Sequence, residues 1–240
     1  MAEATGTRLA GDPAAHALLR EAHDRGYRYP EDFGGFEADL TFAGPSEQTS
    51  GSVRISSARS VELTIVASDA ARSWLRRELG SMIGHRWHLP YEEADGANTL
   101  ELGPDDDDDP TGVFIDVKQD KYDSSYRVLD GEISQVNRAM GKIRFSIQIQ
   151  DRAETPDGHT LPAHFTVFYW DNESGRLNRS DVYRDVYQMV DGVALPVSRQ
   201  IITADDDGIA TRRMDLSNHK LLESSENTDP AGGQLEYRAH

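Results

Sequence analysis

Ser124–Gln150, SSYRVLDGEISQVNRAMGKIRFSIQIQ, is the stretch whose reading decides the fold. Tyr126 and Val128 alternate with polar neighbours up to a turn at Asp130-Gly131. Ile133 and Val136 follow, up to a second turn at Met140-Gly141. Ile143, Phe145, Ile147 and Ile149 then alternate with Arg144, Ser146, Gln148 and Gln150. Period-two alternation between glycine-containing turns is the pattern of an antiparallel meander with one buried and one wet face. This places the run at the centre of a large curved sheet.

Working outward, the same alternation recurs at 36–42, 53–55, 61–65, 99–102 and 113–117 before the meander. After it come 161–170, 181–189, 195–203 and 209–216. Two helical patterns interrupt the series. Asp12-Pro13 supplies an N-cap carboxylate and a first-turn proline, Ala15, Leu18, Leu19 and Ala22 form an apolar stripe, and Gly26 ends the helix. Ser68 caps a second helix running to Ile83, with Ala71, Trp74, Leu75, Leu79, Met82 and Ile83 on one side and Arg72, Arg76 and Arg77 on the other. Strands that follow one another without βαβ alternation make an antiparallel sheet. The expected architecture is mainly β: a strongly curved half-barrel of roughly a dozen strands, with two helices covering its open face. Residues 1–11 are expected to be disordered, 12–222 to form a single domain, and 223–240 to be a flexible polar tail.

Asp and Glu outnumber Lys and Arg by 42 to 25, a net charge of -17, which argues against nucleic acid as a partner. No apolar run approaches the roughly 20 residues of a membrane span. The N-terminal MAEATGTRLAGDPAAH lacks a basic segment followed by an apolar core, so no signal peptide is read and the cytoplasm is the expected address. The absence of cysteine excludes disulfides and thiolate chemistry. The acidic runs Asp105–Asp109 and Asp205–Asp207 lack the alternating ligands and closing Glu of a calcium loop and read as solvated loops.

The run SSYRVLDGEISQVNRAMGKIRFSI closely resembles the core of the uncharacterised family known as domain of unknown function 3386. The spacing from His85-Arg86 through Asn98-Thr99 to Gly103 resembles it too, as do Leu195-Pro196 and the closing LSNHKLL at 216–222. That resemblance extends from Asp12 to Leu222 and implies no activity for individual residues. At the level of fold, the order of elements is similar to that of lipoprotein carriers of the LolA type. The similarity implies a helix-plugged half-barrel over an apolar cavity.

The densest chemical cluster is His85-Arg86-Trp87-His88. His85 and His88, with His164 on a long strand, could supply three imidazoles to a zinc or iron ion, or could simply cap helix carbonyls. Arg138 and Arg144 belong to the meander. Either is a solvent-facing charge or part of a fork on an acidic head group. Tyr169 lies in the aromatic run 165–170, which suits a pocket floor or plain sheet packing. His16 and His23, two turns apart near the first helix's stripe, could both point at a site, but read first as exposed or edge histidines. No phosphate loop, dinucleotide fingerprint or nucleophile elbow is present. The leading expectation is a protein that binds a small hydrophobic or amphipathic ligand through His85, His88, Arg138, Arg144, His164 and Tyr169, with no cofactor. An enzyme using the histidines in the same cavity is the alternative, and a strand-recruiting assembly partner is a third reading.

Overall fold

The structure is a computed structural model that describes residues 10–104 and 109–223. Most of the Asp105–Asp109 run and most of the expected loose ends lie outside the described residues. At the start of the described residues Gly11 bridges to Leu100, whose N–H donates to the Ala10 carbonyl at 3.3 Å and whose carbonyl accepts from the Asp12 N–H at 2.7 Å.

The chain begins with helix α1 (Pro13–Arg25) and strands β1 (Phe36–Ala43), β2 (Gln48–Ser57) and β3 (Ser60–Ile65). Helix α2 (Asp69–Gly84) and a short 3-10 turn (Asp95–Ala97) lead to β4 (Thr99–Leu102), β5 (Val113–Lys118) and β6 (Ser125–Leu129). Next come β7 (Glu132–Met140), β8 (Ile143–Glu154) and β9 (Thr160–Asp171). The series closes with β10 (Leu177–Val190), β11 (Val193–Asp205) and β12 (Gly208–Leu221). Both helix starts follow the sequence: the Asp12 side chain accepts from the Ala14 N–H, and Ser68 accepts from the Ala71 N–H.

All twelve strands form one antiparallel sheet in the order β3-β2-β1-β12-β11-β10-β9-β8-β7-β6-β5-β4. It is a half-barrel and does not close. Consecutive strands β3 and β4 therefore sit at opposite edges, and residues 66–98 must travel from one edge to the other. They do so on one face: α2 lies on that face, followed by a strap from His85 to the 3-10 turn. The segment after α1 forms a second strap beside the first, joined by the Tyr29 N–H donating to the Arg86 carbonyl at 2.8 Å.

Register identifies the inner face. Leu63, Val53 and Ala38 face one another across β3, β2 and β1. Phe42 faces Met214, and Met214 faces Arg199. On β10 and β9, Tyr183 pairs with Phe165 and the rings stack at 4.4 Å. On β8 and β7, Phe145 pairs with Arg138 and Ile147 with Val136. All point toward the helices, and residues at alternate positions point away.

Gly35 shows why one turn into the sheet needs glycine. Its φ is 96°, and a Cβ there would stand 1.9 Å from the Ile55 carbonyl oxygen.

Candidate functional site

The inner face carries two separate cores. Under α2, Trp74, Leu75, Leu79, Met82 and Ile83 pack on β1, β2 and β9–β12, with Trp74 5.3 Å from Phe42. Under α1, Ala15, Leu19 and Ala22 pack on Tyr91, Leu100, Ile115, Val117, Tyr126 and Val128. Between them, the apolar residues of the central meander are covered unevenly: Phe145 is buried, while those around it are covered only in part. Every residue of β7 is half-buried, and Ile133, Val136, Met140, Ile143, Ile147 and Phe165 pack at the margins of the cores without being closed over. The result is an inner-face cleft with an apolar floor.

A buried ionic network stands at the α2 side of this cleft. The Arg199 guanidinium donates to Asp185 from Nε at 2.8 Å and Nη2 at 2.6 Å, and reaches the Glu78 carboxylate at 3.4 Å. The Asp185 Oδ2 accepts from the Tyr187 hydroxyl at 3.1 Å, and Tyr187 accepts from Arg86 Nη2 at 2.6 Å. Arg86 also donates to the Met82 carbonyl, so the network ties α2, its strap and strands β10 and β11 together. Burial works against the Arg199 charge, but Asp185 outweighs it and holds the guanidinium pKa above its usual range. For Glu78, burial wins and pushes the carboxyl pKa up in spite of Arg199 and Arg77. The two directions are compatible because Arg199 is committed to Asp185 and meets Glu78 only at the longer distance.

His85 is the C-cap of α2 and is exposed. The surrounding protein, followed by the charges of Arg86, Arg138, Arg28 and Arg199, lowers its pKa to about 4. Arg138 on β7 donates from Nη2 to the Tyr126 hydroxyl at 3.3 Å, and its Nε is buried without a partner. Tyr126 in turn donates to Asp95 at 2.8 Å. Burial, then Asp95, holds the Tyr126 hydroxyl pKa well above its ordinary value, so it remains a neutral donor.

His85 is the C-cap of α2, and Arg138 lies on the inner face of β7 beside Tyr126. His88 is exposed and lines a different pocket of about 460 Å³, whose walls include Arg20, His23, Arg28, Tyr91 and His159 but neither His85 nor Arg138. His164 pairs with Arg184 and Asp151 on the outer face, one residue out of phase with inward-facing Phe165. Arg144 is also on the outer face, exposed, with its guanidinium 5.2 Å from the Trp170 ring centre. Tyr169 does face inward, but it is buried against Phe145 and lies under the Arg179 guanidinium at 4.0 Å. The expected grouping of His85, His88 and His164 therefore does not form. Among the described residues, no group of three His, Asp or Glu side chains is placed to hold a metal ion. The enzyme alternative built on those histidines has no converging set to rest on.

His16 and His23 correct another expectation. Both are buried, His16 between the Tyr91 hydroxyl and the Ala10 carbonyl at 2.8 Å each. Sequence reasoning missed Glu78, Asp185 and Arg199. The available signal was positional: Glu78 lies on the same helical stripe as Leu75 and Leu79, and Asp185 is in phase between Tyr183 and Tyr187.

A crystal structure of a DUF1329 family protein from Desulfovibrio piger is similar at 9% identity, covering 88% of this chain and 93% of that one, with a TM-score of 0.25. MucB in complex with MucA(peri) is similar at 11% identity, covering 85% of this chain and 94% of that one, with a TM-score of 0.21. No curated protein matches the sequence. Residues 10–222 match the family described as "Protein of unknown function (DUF3386)", and the chain belongs to that family.

Proposed function

We propose that the inner-face cleft binds a small hydrophobic or amphipathic molecule. One observation carries the reading: the apolar side chains of Val136, Ile147 and Phe165 are on the inner face in the middle of a twelve-stranded sheet yet stay half-buried, although their neighbours Phe145, Val167 and Tyr169 are covered. A central sheet face that served only for packing would be covered by a helix. Here α1 packs on β4, β6 and β7, and Val136, Ile147 and Phe165 still remain half-buried. An apolar ligand laid on this floor gains about 25 cal/mol for each Å² of apolar surface removed from water. Strands β7 and β8 make the floor of the cleft.

Calorimetric titration of the full chain with dodecanol below its solubility limit tests the proposal. Saturable binding is expected, and Val136→Trp, which fills the floor, weakens it about tenfold or more. Absence of saturable binding, or equal binding by the filled variant, contradicts it.

A further inference from the structure

The two edges of the sheet end differently. At the β4 edge the chain covers itself: Leu100 is hydrogen-bonded through its N–H to Ala10 at 3.3 Å and through its carbonyl to Asp12 at 2.7 Å. At the other edge β3 is the last strand in the order, and among the described residues no second strand pairs with it beyond β2. It reads SVELTI, with no proline or lysine and with Glu62 as its one charge. Proline, lysine and covering segments are the usual devices that keep an edge from pairing with another chain. The register shift in the β2–β3 pair lies at the turn, between Ile55 and Ser57, so Val61–Ile65 runs unbroken beside β2.

Helix α2 packs on the inner side of β3, yet Val61, Leu63 and Ile65, which project to that side, are only half-buried. Glu62 and Thr64 alternate with them and are exposed. This edge is complementary to itself, because directly opposite residues of an antiparallel pair project from the same face. When two copies of β3 meet antiparallel with Leu63 opposite Leu63, Val61 stands opposite Ile65 and Glu62 opposite Thr64. Apolar side chains then meet apolar ones on the inner side and gain the cover they lack. The two Glu62 carboxylates are not opposed, and each meets a hydroxyl that can donate to it. Since β3 alone is open, the contact is isologous and closes at two copies.

We propose that a second copy of this chain docks on β3, strand antiparallel to strand about a two-fold axis at Leu63, and joins the two half-barrels into one continuous sheet. Each copy carries a net charge of -17, so long-range repulsion opposes the contact. Salt screens that repulsion and strengthens the dimer. The sign separates self-association from capture of a basic strand of another protein, which salt would weaken. β7 and β8 are far along the sheet from β3, so the cleft is not part of the contact.

Sedimentation equilibrium of the full 240-residue chain, from about 1 to 100 μM and at low and high salt, is the test. A reversible monomer–dimer equilibrium is expected, shifted toward dimer by salt. Thr64 is exposed in the single chain and stands opposite the partner's Glu62 in the dimer, so opposite charges placed there act in opposite directions. Thr64→Lys should tighten the dimer and Thr64→Glu should loosen it, each by about threefold, the scale of two symmetry-related cross-strand charge pairs. Adding Glu62→Lys to Thr64→Glu should recover the dimer. Thr41→Glu, which adds the same charge on β1 away from the edge, should have little effect. A chain that stays monomeric throughout, a dimer that salt weakens or that is indifferent to charge at Thr64, or association that runs past two copies overturns the proposal.

Discussion

The Arg199 guanidinium grips the Asp185 carboxylate through two parallel hydrogen bonds, Nε to Oδ1 at 2.8 Å and Nη2 to Oδ2 at 2.6 Å, with both side chains almost wholly buried. The pair joins β10 to β11 where α2 crosses them. It is also the anchor through which Tyr187 and Arg86 fix the strap that carries His85.

Removing one member of such a pair leaves a buried charge without a partner. Asp185→Asn is expected to destabilise the fold by about 3–5 kcal/mol. Glu78→Gln is expected to change stability by about 1 kcal/mol or less, because Glu78 meets Arg199 only at 3.4 Å and burial already works against its charge. Urea unfolding of both variants at neutral pH checks the difference. Equal losses would mean that the two carboxylates share the arginine evenly.

The cleft floor and the cores should respond in opposite ways to changes in volume. Ile147→Phe adds bulk where the face is only half-covered and is expected to keep the thermal midpoint within about 3 °C of the parent. Leu79→Ala removes a fully buried side chain under α2 and is expected to cost about 2–5 kcal/mol. Thermal melts of the two proteins decide it. A large loss in Ile147→Phe would show that the floor is closed.

His85 supplies a pH signature. Its pKa falls from 6.5 in the unfolded chain to about 4 in the fold, through enclosure and then through Arg86 on its own strap, Arg138 on β7, Arg28 after α1 and Arg199 on β11. As pH is lowered from 6.5 toward 4, the unfolded chain takes up a proton at this position and the folded chain does not, so stability falls across that window. Burial lowers the His23 and His219 pKa values too, and each adds a slope of the same sign. The measurement is therefore the difference between the parent and His85→Gln in denaturant unfolding at several pH values. The variant should lose less stability on acidification. Parallel curves would place His85 in open water.

Two glycines separate steric need from conformational need. Gly35→Ala would drive a methyl group into the Ile55 carbonyl and is expected to cost about 2 kcal/mol or more. Gly141, at φ 62° in the β7–β8 turn, has open space around it, so Gly141→Ala is expected to cost about 1–2 kcal/mol from backbone strain alone. Equilibrium unfolding of both variants gives the comparison, and equal costs would show that the Ile55 backbone yields.

Much of the fold was legible because it is written in short-range patterns. All twelve strands announce themselves by alternation between turns, and Asp12 and Ser68 mark the two helix starts. The phase of Ile143, Phe145 and Ile147 correctly sets Arg144 on the opposite face. The site was legible only in fragments, because its geometry depends on long-range pairing. Nothing local connects Glu78 to Arg199, 121 positions away. The straps that deliver Arg28, His85 and Arg86 have no periodicity to read. His88 and His164 looked like partners of His85 on spacing alone, but the strap sends His88 to another pocket and strand phase turns His164 outward. His16 looked like an edge residue until Tyr91, 75 positions on, was seen to cover it.

Native mass spectrometry of untagged protein purified from its own host tests most directly whether the inner face holds a small molecule. A non-covalent adduct of a few hundred daltons is expected on the 26.7 kDa chain, reduced or absent in Val136→Trp. A bare chain mass in both proteins, together with no uptake of dodecanol on titration, would contradict that expectation.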